Sequence, residues 1–452
     1  MYEFIFSIPS FIVAITILVA IHEFGHYWVA KISGVKILRY SIGFGKPIYK
    51  KNIGKDKTEF VIASIPLGGY VKMLDEREAD VEKSEAHRAF NRQHVSKRFA
   101  IVFAGPFFNF IFAVFAYWFM FVNGTPGISP VIGDVVKDSP FEAAGVRPGD
   151  RIISINNTET PIWDVVLNEL VQEVLDKSKV DVKVEAQDGT IANLNLDFSD
   201  INIDLESENL LDVLGFAPWR PVAIPKIARV VPDSPAEQAG LKIDDTILKV
   251  NNKVVKTWEQ MAKIISGLPE KDILLLIDSS GEAREVIVHS KKIKRNGKEV
   301  GLIGISAASE YPSEMKIIHQ YSIFGSISKA FETTWVSTKR TLSFLYKMVM
   351  GDISLKNISG PITIAKYAGL SADAGLSKFL GFLAIVSISL GVLNLLPIPM
   401  LDGGHLFYYL IEIVKGSPVS ASFELAGQQI GIVLLIMLMG LAFYNDLLRL
   451  FG

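Results

Sequence analysis

"AIHEFGHYWVAK" (Ala20 to Lys31) closes an uncharged, mostly apolar run that begins at Phe4. A bilayer asks for roughly 20 such residues in a helix, and ionisable groups at its centre cost about 2.5–3.5 kcal/mol each on insertion scales. His22, Glu23 and His26 therefore need a reason to be there. On a helix, residues four apart share a face, so His22 and His26 can offer two imidazoles to one cation. Glu23 stands beside them, able to take a proton from a water whose pKa zinc lowers to about 7. This is the His-Glu-x-x-His arrangement of metal-dependent peptide hydrolysis. Only three positions are fixed, so chance matches are common in soluble sequences, and it is the apolar setting that gives this one weight. The competing structural reading is that these residues mark the aqueous end of the helix, with Lys31 close behind.

The rest of the chain fits a membrane setting. Of its 452 residues 49% are hydrophobic and 21% charged, with mean hydropathy +0.32, so apolar segments must alternate with water-soluble ones. Four stretches can span: Phe4 to Ile21 continuing to Ala30, Phe99 to Val122, Leu376 to Leu396, and Ile430 to Leu450. The first lacks a basic start and a small-residue cleavage site, so it is expected to be retained rather than removed as a signal peptide. The loop Lys31 to Arg98 carries 15 Lys/Arg against 8 Asp/Glu, and Asn123 to Gly375 carries 28 against 34. The positive-inside rule makes the first loop cytoplasmic, with both termini and the large insert outside, in a bacterium the periplasmic side of the inner membrane. With no cysteine, disulfides and thiolate metal sites are excluded. The basic loop is accounted for by topology and gives nucleic-acid binding little support.

The insert contains a repeat at a spacing of 95 residues: "VVKDSPFEAAGVRPGDRIISINN" (Val135 to Asn157) and "VVPDSPAEQAGLKIDDTILKVNN" (Val230 to Asn252). Each copy reads as a Ser-capped short helix, a glycine stop, and an alternating strand ending in a turn. The string resembles bacterial PDZ domains, which take extended peptides beside a strand. A pair of spacers or a steric filter is the plainer alternative. The second copy has Ile243-Asp244-Asp245 where Gly-Asp is usual, so a different turn is expected there.

A catalytic zinc site needs a third protein ligand and one open position. In "GVLNLLPIPMLDGGHLFYYL" (Gly391 to Leu410), Pro397 and Pro399 break the third span. Asp402 and His405 follow, with Gly403 and Gly404 allowing close backbone approach. Spacing leaves both residues open as the third ligand. Asn394 carries an amide that can hold a substrate backbone or make an ordinary interhelical bond.

Taken together, "HEFGH" in a first span, "AGPFFN" (Ala104 to Asn109) in a second, the tandem repeats and "NLLPIPMLDGGH" near the end closely resemble the site-2 protease family over essentially the whole chain. The resemblance implies a polytopic α-helical membrane protein of four transmembrane helices, with a membrane-associated β-hairpin sheet and two tandem α+β PDZ domains. It implies one zinc ion on His22, His26 and Asp402, Glu23 as the catalytic residue, and Asn394 supporting substrate. It also implies single-span membrane proteins as substrates: a pre-trimmed anti-sigma factor, and remnant signal peptides. The PDZ pair would then take C-terminal peptides or exclude untrimmed substrates.

The expected parts are a first span (1–30), a cytoplasmic loop (31–98), a second span (99–122), PDZ domains (127–220 and 221–308), an amphipathic helical region (309–375), a third span (376–396), a ligand loop (397–429) and a fourth span (430–450). In the first loop, Val35 to Lys51 and Thr58 to Met73 read as two hairpin-like strand regions. Gly43, Phe44 and Gly45 lie in them and are candidate substrate contacts. Unwinding a substrate helix frees backbone groups that lipid cannot satisfy, and a strand edge can. Ile327, Phe331, Trp335, Thr338, Leu342, Leu345 and Val349 recur at helical steps, an apolar face for the membrane surface or the spans, ended by the Gly-Pro of "NISGPITIA" (Asn357 to Ala365). A membrane-anchored PDZ adaptor with a vestigial metal site is the alternative function. A transporter would explain broken spans but neither the His-Glu-x-x-His pattern nor the repeats.

Overall fold

Uninterrupted apolar sequence with few helix breakers produces the long helices. In the computed structural model, which describes residues 2–175, 178–199, 210–295, 298–307, 311–351 and 353–451, these are α1 (Tyr2–Ile32) and α2 (Val95–Asn123). After the insert come α3 (Ile323–Met350), α4 (Pro361–Asp373), α5 (Leu376–Leu395), α6 (Asp402–Lys415) and α7 (Ala421–Phe451). Four of them, α1, α2, α5 and α7, are long and apolar enough to cross a membrane. The chain divides into two units, residues 1–126 with 318–452, and residues 127–317.

In the first unit, α1 and α2 cross where Gly25 and Gly105 meet. A Cβ on Gly25 would lie 2.3 Å from the Ala104 carbonyl oxygen. Small residues at such crossings let helices approach without a gain from water exclusion. Between these helices, β1 (Ile37–Ile53) and β2 (Thr58–Met73) form one sheet, not two separate hairpins. Tyr40 pairs with Val71 on one side and Phe60 on the other, and Lys51 pairs with Phe60. Four strand segments therefore lie side by side, because glycines at 43 and 45 with φ near 90° let β1 change course. The Tyr40 hydroxyl donates to the Ala20 carbonyl at 2.7 Å and pins the sheet to α1.

The amphipathic helix α3 contacts the rest of the unit through small residues. Its buried residues are the small ones, Ser326, Ala330 and Thr334, whereas Phe331, Trp335 and Val349 are exposed. It ends at Gly351 in the left-handed conformation, well before the Gly-Pro, which instead begins α4 with Pro361 in its first turn. The Asp446 carboxylate of α7 accepts from the backbone N–H groups of Gly360, Ile362 and Thr363 at 2.9, 2.8 and 3.1 Å. A carboxylate at a helix N-terminus meets both the free donors and the positive dipole end, and so fastens α7 to the start of α4.

In the second unit the two repeat copies are built alike. Ser139 and Ser234 cap their helices by accepting from Glu142 and Glu237 N–H groups. Those glutamates in turn accept from the Asp138 and Asp233 N–H groups at 2.6 and 2.8 Å, a capping box reaching one residue further back than usual. The four-stranded sheets share one order: residues 158–159, 151–155, 179–185 and 191–197 in the first, 253–254, 246–250, 272–279 and 282–289 in the second. Each copy has its own core, one around Phe141, Ile155 and Leu196, the other around Ile247, Met261 and Ile277. The turn expected to differ does not. Asp244 takes the left-handed conformation (φ 72°) that Gly149 takes in the first copy (φ 93°), and Asp150 and Asp245 accept from Arg147 and Lys242 N–H groups alike. Residues 176–177 and 200–209 of the first copy and 296–297 and 308 of the second lie outside the described residues.

Candidate metal centre

His22 and His26 stand one turn apart on α1, with ring centroids 4.9 Å apart and planes at 82°. Their Nε2 atoms approach to 3.2 Å. The third partner comes from the far end of the chain. Between α5 and α6 the backbone leaves helical geometry at Leu396, and Met400 is held at φ 91°, strain that surrounding structure must over-determine. Gly403 and Gly404 press so closely on the preceding loop that a Cβ on either would lie 2.1 and 2.6 Å from carbonyl oxygens. Asp402, first residue of α6, thereby reaches back to α1, its Oδ2 lying 3.1 Å from His22 Nε2 and 3.5 Å from His26 Nε2.

This donor set fits a metal ion. The ligand atoms of His22, His26 and Asp402 lie within 4.8 Å of one another. Asp402 Oδ2 is buried without a hydrogen bond even though two ring nitrogens stand this close. Buried polar atoms are nearly always paired, and three lone pairs converging on one point are what a cation satisfies. The outer ring atoms support it. His26 Nδ1 lies 2.9 Å from the Ile101 carbonyl, which can only accept, so Nδ1 carries the proton and Nε2 is free to ligate. Asn109 lies 3.1 Å from His22 Nδ1 through its amide, with its own Oδ1 buried and unpartnered. Amide orientation is set by partners: turned over, Oδ1 accepts from His22 Nδ1 and leaves that Nε2 free as well.

A cavity of about 660 Å³ opens on the group, lined by His22, Glu23, His26, Asp402 and His405 together with β2 from Gly69 to Met73. The strand passes so near that a Cβ on Gly69 would lie 2.9 Å from Glu23 Cγ. His405 shares the cavity but not the ligand group. Asn394 is half-buried near the end of α5 and does not line this cavity. Gly43, Phe44 and Gly45 do not line it either; Phe44 reaches it indirectly by stacking on Tyr70, 6.2 Å between ring centres. Sequence reasoning missed Gly105, where a Cβ would come 2.2 Å from His26 Nε2, and Asn109. Both fall in "AGPFFN", whose relation to the histidines depends on how two helices cross.

The profile of Peptidase family M50 matches residues 10–438. The chain belongs to that family, the site-2 proteases, and is a zinc metalloprotease. It is 41% identical over 451 residues to the regulator of sigma-E protease RseP of Escherichia coli K12, covering both chains completely. It is 41% identical over 454 residues to a putative zinc metalloprotease of Vibrio cholerae, again covering both completely, and 38% identical over 452 residues to one of Neisseria meningitidis, covering 99% of this chain and all of that one. Its four apolar helices and these relatives make it a membrane protein.

Proposed function

We propose that the chain is an intramembrane endopeptidase that holds one zinc ion on His22, His26 and Asp402 and hydrolyses a peptide bond within or near the membrane segment of single-span proteins. The observation that carries this is the meeting of Asp402 Oδ2 with two imidazole nitrogens beside Glu23, inside a helix apolar enough to span. The chemistry supplied by bound zinc is Lewis acidity, which polarises a scissile carbonyl and makes water acidic enough to attack at neutral pH. Glu23 takes the proton of the attacking water as its oxygen bonds to the carbonyl carbon. The same carboxyl then gives that proton to the amide nitrogen as the C–N bond breaks. Ile101 and Asn109 hold the two rings in their ligating tautomers. The free backbone of an unwound substrate helix finds partners along β2 beside Glu23, a role that puts the sheet at the membrane, with Gly43, Phe44 and Gly45 as further substrate contacts and Asn394 supporting the substrate.

The likeness to regulators of sigma-E proteases supports an anti-sigma factor already shortened outside the membrane as substrate, with remnant signal peptides as a second class. Charge bias supports a cytoplasmic first loop, with the repeat pair and both termini periplasmic. The repeats, read as two PDZ domains over 127–220 and 221–308, would screen substrates by the size or C-terminus of the outer portion.

Metal removal tests the reading. Dialysis of the purified protein against a zinc chelator is expected to abolish cleavage of a tagged single-span substrate, and one equivalent of zinc to restore it. Binding of trimmed substrate with no cleavage in the zinc-loaded protein would instead favour the membrane-anchored adaptor.

A further inference from the structure

Arg98 and Glu412 form an ion pair at 2.5 Å with side chains only 12% and 14% exposed. Burying two charges costs free energy that their attraction offsets only when geometry is good and further hydrogen bonds are present. Both conditions hold. Arg98 Nε also donates to the Gln93 carbonyl at 3.1 Å, and its guanidinium lies over the Tyr409 ring at 5.0 Å, a cation–π contact. The pair lines the same cavity as the histidines but touches none of the three ligands, and nothing in the hydrolytic steps uses it.

Its place in the fold gives it a task. Glu412 sits ten residues beyond Asp402 on α6, about 15 Å along the axis at 1.5 Å per residue. At the near end, Gly403 and Gly404 seat the helix on the Leu395–Pro399 backbone, a pivot adjacent to the ligand. Beyond the pivot α6 packs along α2 and buries Leu406, Tyr408 and Tyr409, a largely apolar contact that can slide, and a small slide or rotation turns the Asp402 carboxylate off the imidazoles. Metal ligands tolerate about 0.5 Å and 10–20° of error. Arg98 belongs to the first turn of α2, the helix that also carries Ile101 and Asn109 behind the two histidines. We infer that the Arg98–Glu412 pair is a positioning device for the metal centre, fixing the far end of α6 to the helix that orients His22 and His26, so that all three ligands share one frame. This rests on the reading of His22, His26 and Asp402 as the zinc ligands.

The test is zinc affinity by chelator competition, with the visible spectrum of the cobalt-substituted protein reporting ligand geometry. Wild type, Glu412→Gln and Arg98→Lys are compared, and thermal melts of the metal-free proteins are run alongside. Loss of groups bonded directly to metal ligands costs about 10–100-fold in metal affinity, and this pair, one step further out, is placed at the low end of that range. Glu412→Gln, which keeps the shape and removes the charge, should bind zinc about 10-fold more weakly with an altered cobalt spectrum. Arg98→Lys, which keeps the charge but loses the Gln93 bond and the flat contact on Tyr409, should weaken zinc binding by less than Glu412→Gln does. Wild-type affinity and spectrum in Glu412→Gln would overturn the inference and leave the ligand assignment standing. So would an equal loss of affinity in both variants that tracks their metal-free stability, since a purely structural role predicts that. Failure of wild type to retain zinc would overturn the ligand assignment and this inference with it.

Discussion

Replacing Glu23 with Gln is expected to lower cleavage about 10³-fold, within the 10²–10⁴ range of a general base, while zinc content stays at the wild-type level. The amide keeps the size and place of the carboxylate beside His22 and His26 but cannot accept the proton of an attacking water. Because Glu23 is not among the three grouped ligand atoms, the metal should be untouched. Zinc content by elemental analysis and single-turnover cleavage of the same samples separate the two effects. Loss of zinc together with activity would make Glu23 a ligand or a structural support, and undiminished cleavage would move the base elsewhere.

A single methyl group on Gly105 should be as damaging as removing a ligand. A Cβ there would stand 2.2 Å from His26 Nε2, a proposed ligand atom, and 2.9 Å from His22 Cε1, inside van der Waals contact with both rings. Retreat is blocked because α1 and α2 already touch where Gly25 faces the Ala104 carbonyl. Overpacking of this kind costs about 1–3 kcal/mol, and here the strain falls on the ring positions. Gly105→Ala should therefore lose most bound zinc and at least about 10²-fold in cleavage, a catalytic penalty of the size that misplacement alone can bring. Gly440→Ala on α7, where an added Cβ meets nothing within 4 Å, should cleave as wild type does. Wild-type zinc content and activity in Gly105→Ala would contradict the close crossing of α1 and α2.

How much was legible in the sequence depended on whether the signal was local. The repeat copies wrote their helix starts in Ser139 and Ser234, and the glycine stops in Gly145 and Gly240, because capping and left-handed turns are decided within a few residues. The turn at Asp244 was misjudged because Asp, like Asn, tolerates the left-handed conformation that glycine usually fills. Spacing put His22 and His26 on one face and left His405 open as a rival to Asp402, a choice made by the family resemblance; the loop pressed under Gly403 and Gly404 is what turns Asp402 toward α1. Gly105, Asn109 and Arg98 carry no local pattern at all, since their meaning lies in the crossing of separate helices. On α3 the apolar periodicity was plain, but it could not reveal that helices of a membrane protein pack through small residues such as Ala330 and leave Phe331 and Trp335 exposed. The strand regions were legible from their alternation and glycines, whereas the pairing of Tyr40 on both sides required tertiary structure.

The central claim is that a peptide bond of a membrane-embedded helix is cut at this site. Its most direct test is to reconstitute the purified, zinc-loaded protein with a single-span substrate in lipid vesicles and locate the scissile bond by mass spectrometry of both products. New termini inside the apolar segment, formed by wild type and not by Glu23→Gln, are the predicted result. Cuts confined to the soluble flanks, or the same cuts made by Glu23→Gln, would contradict it.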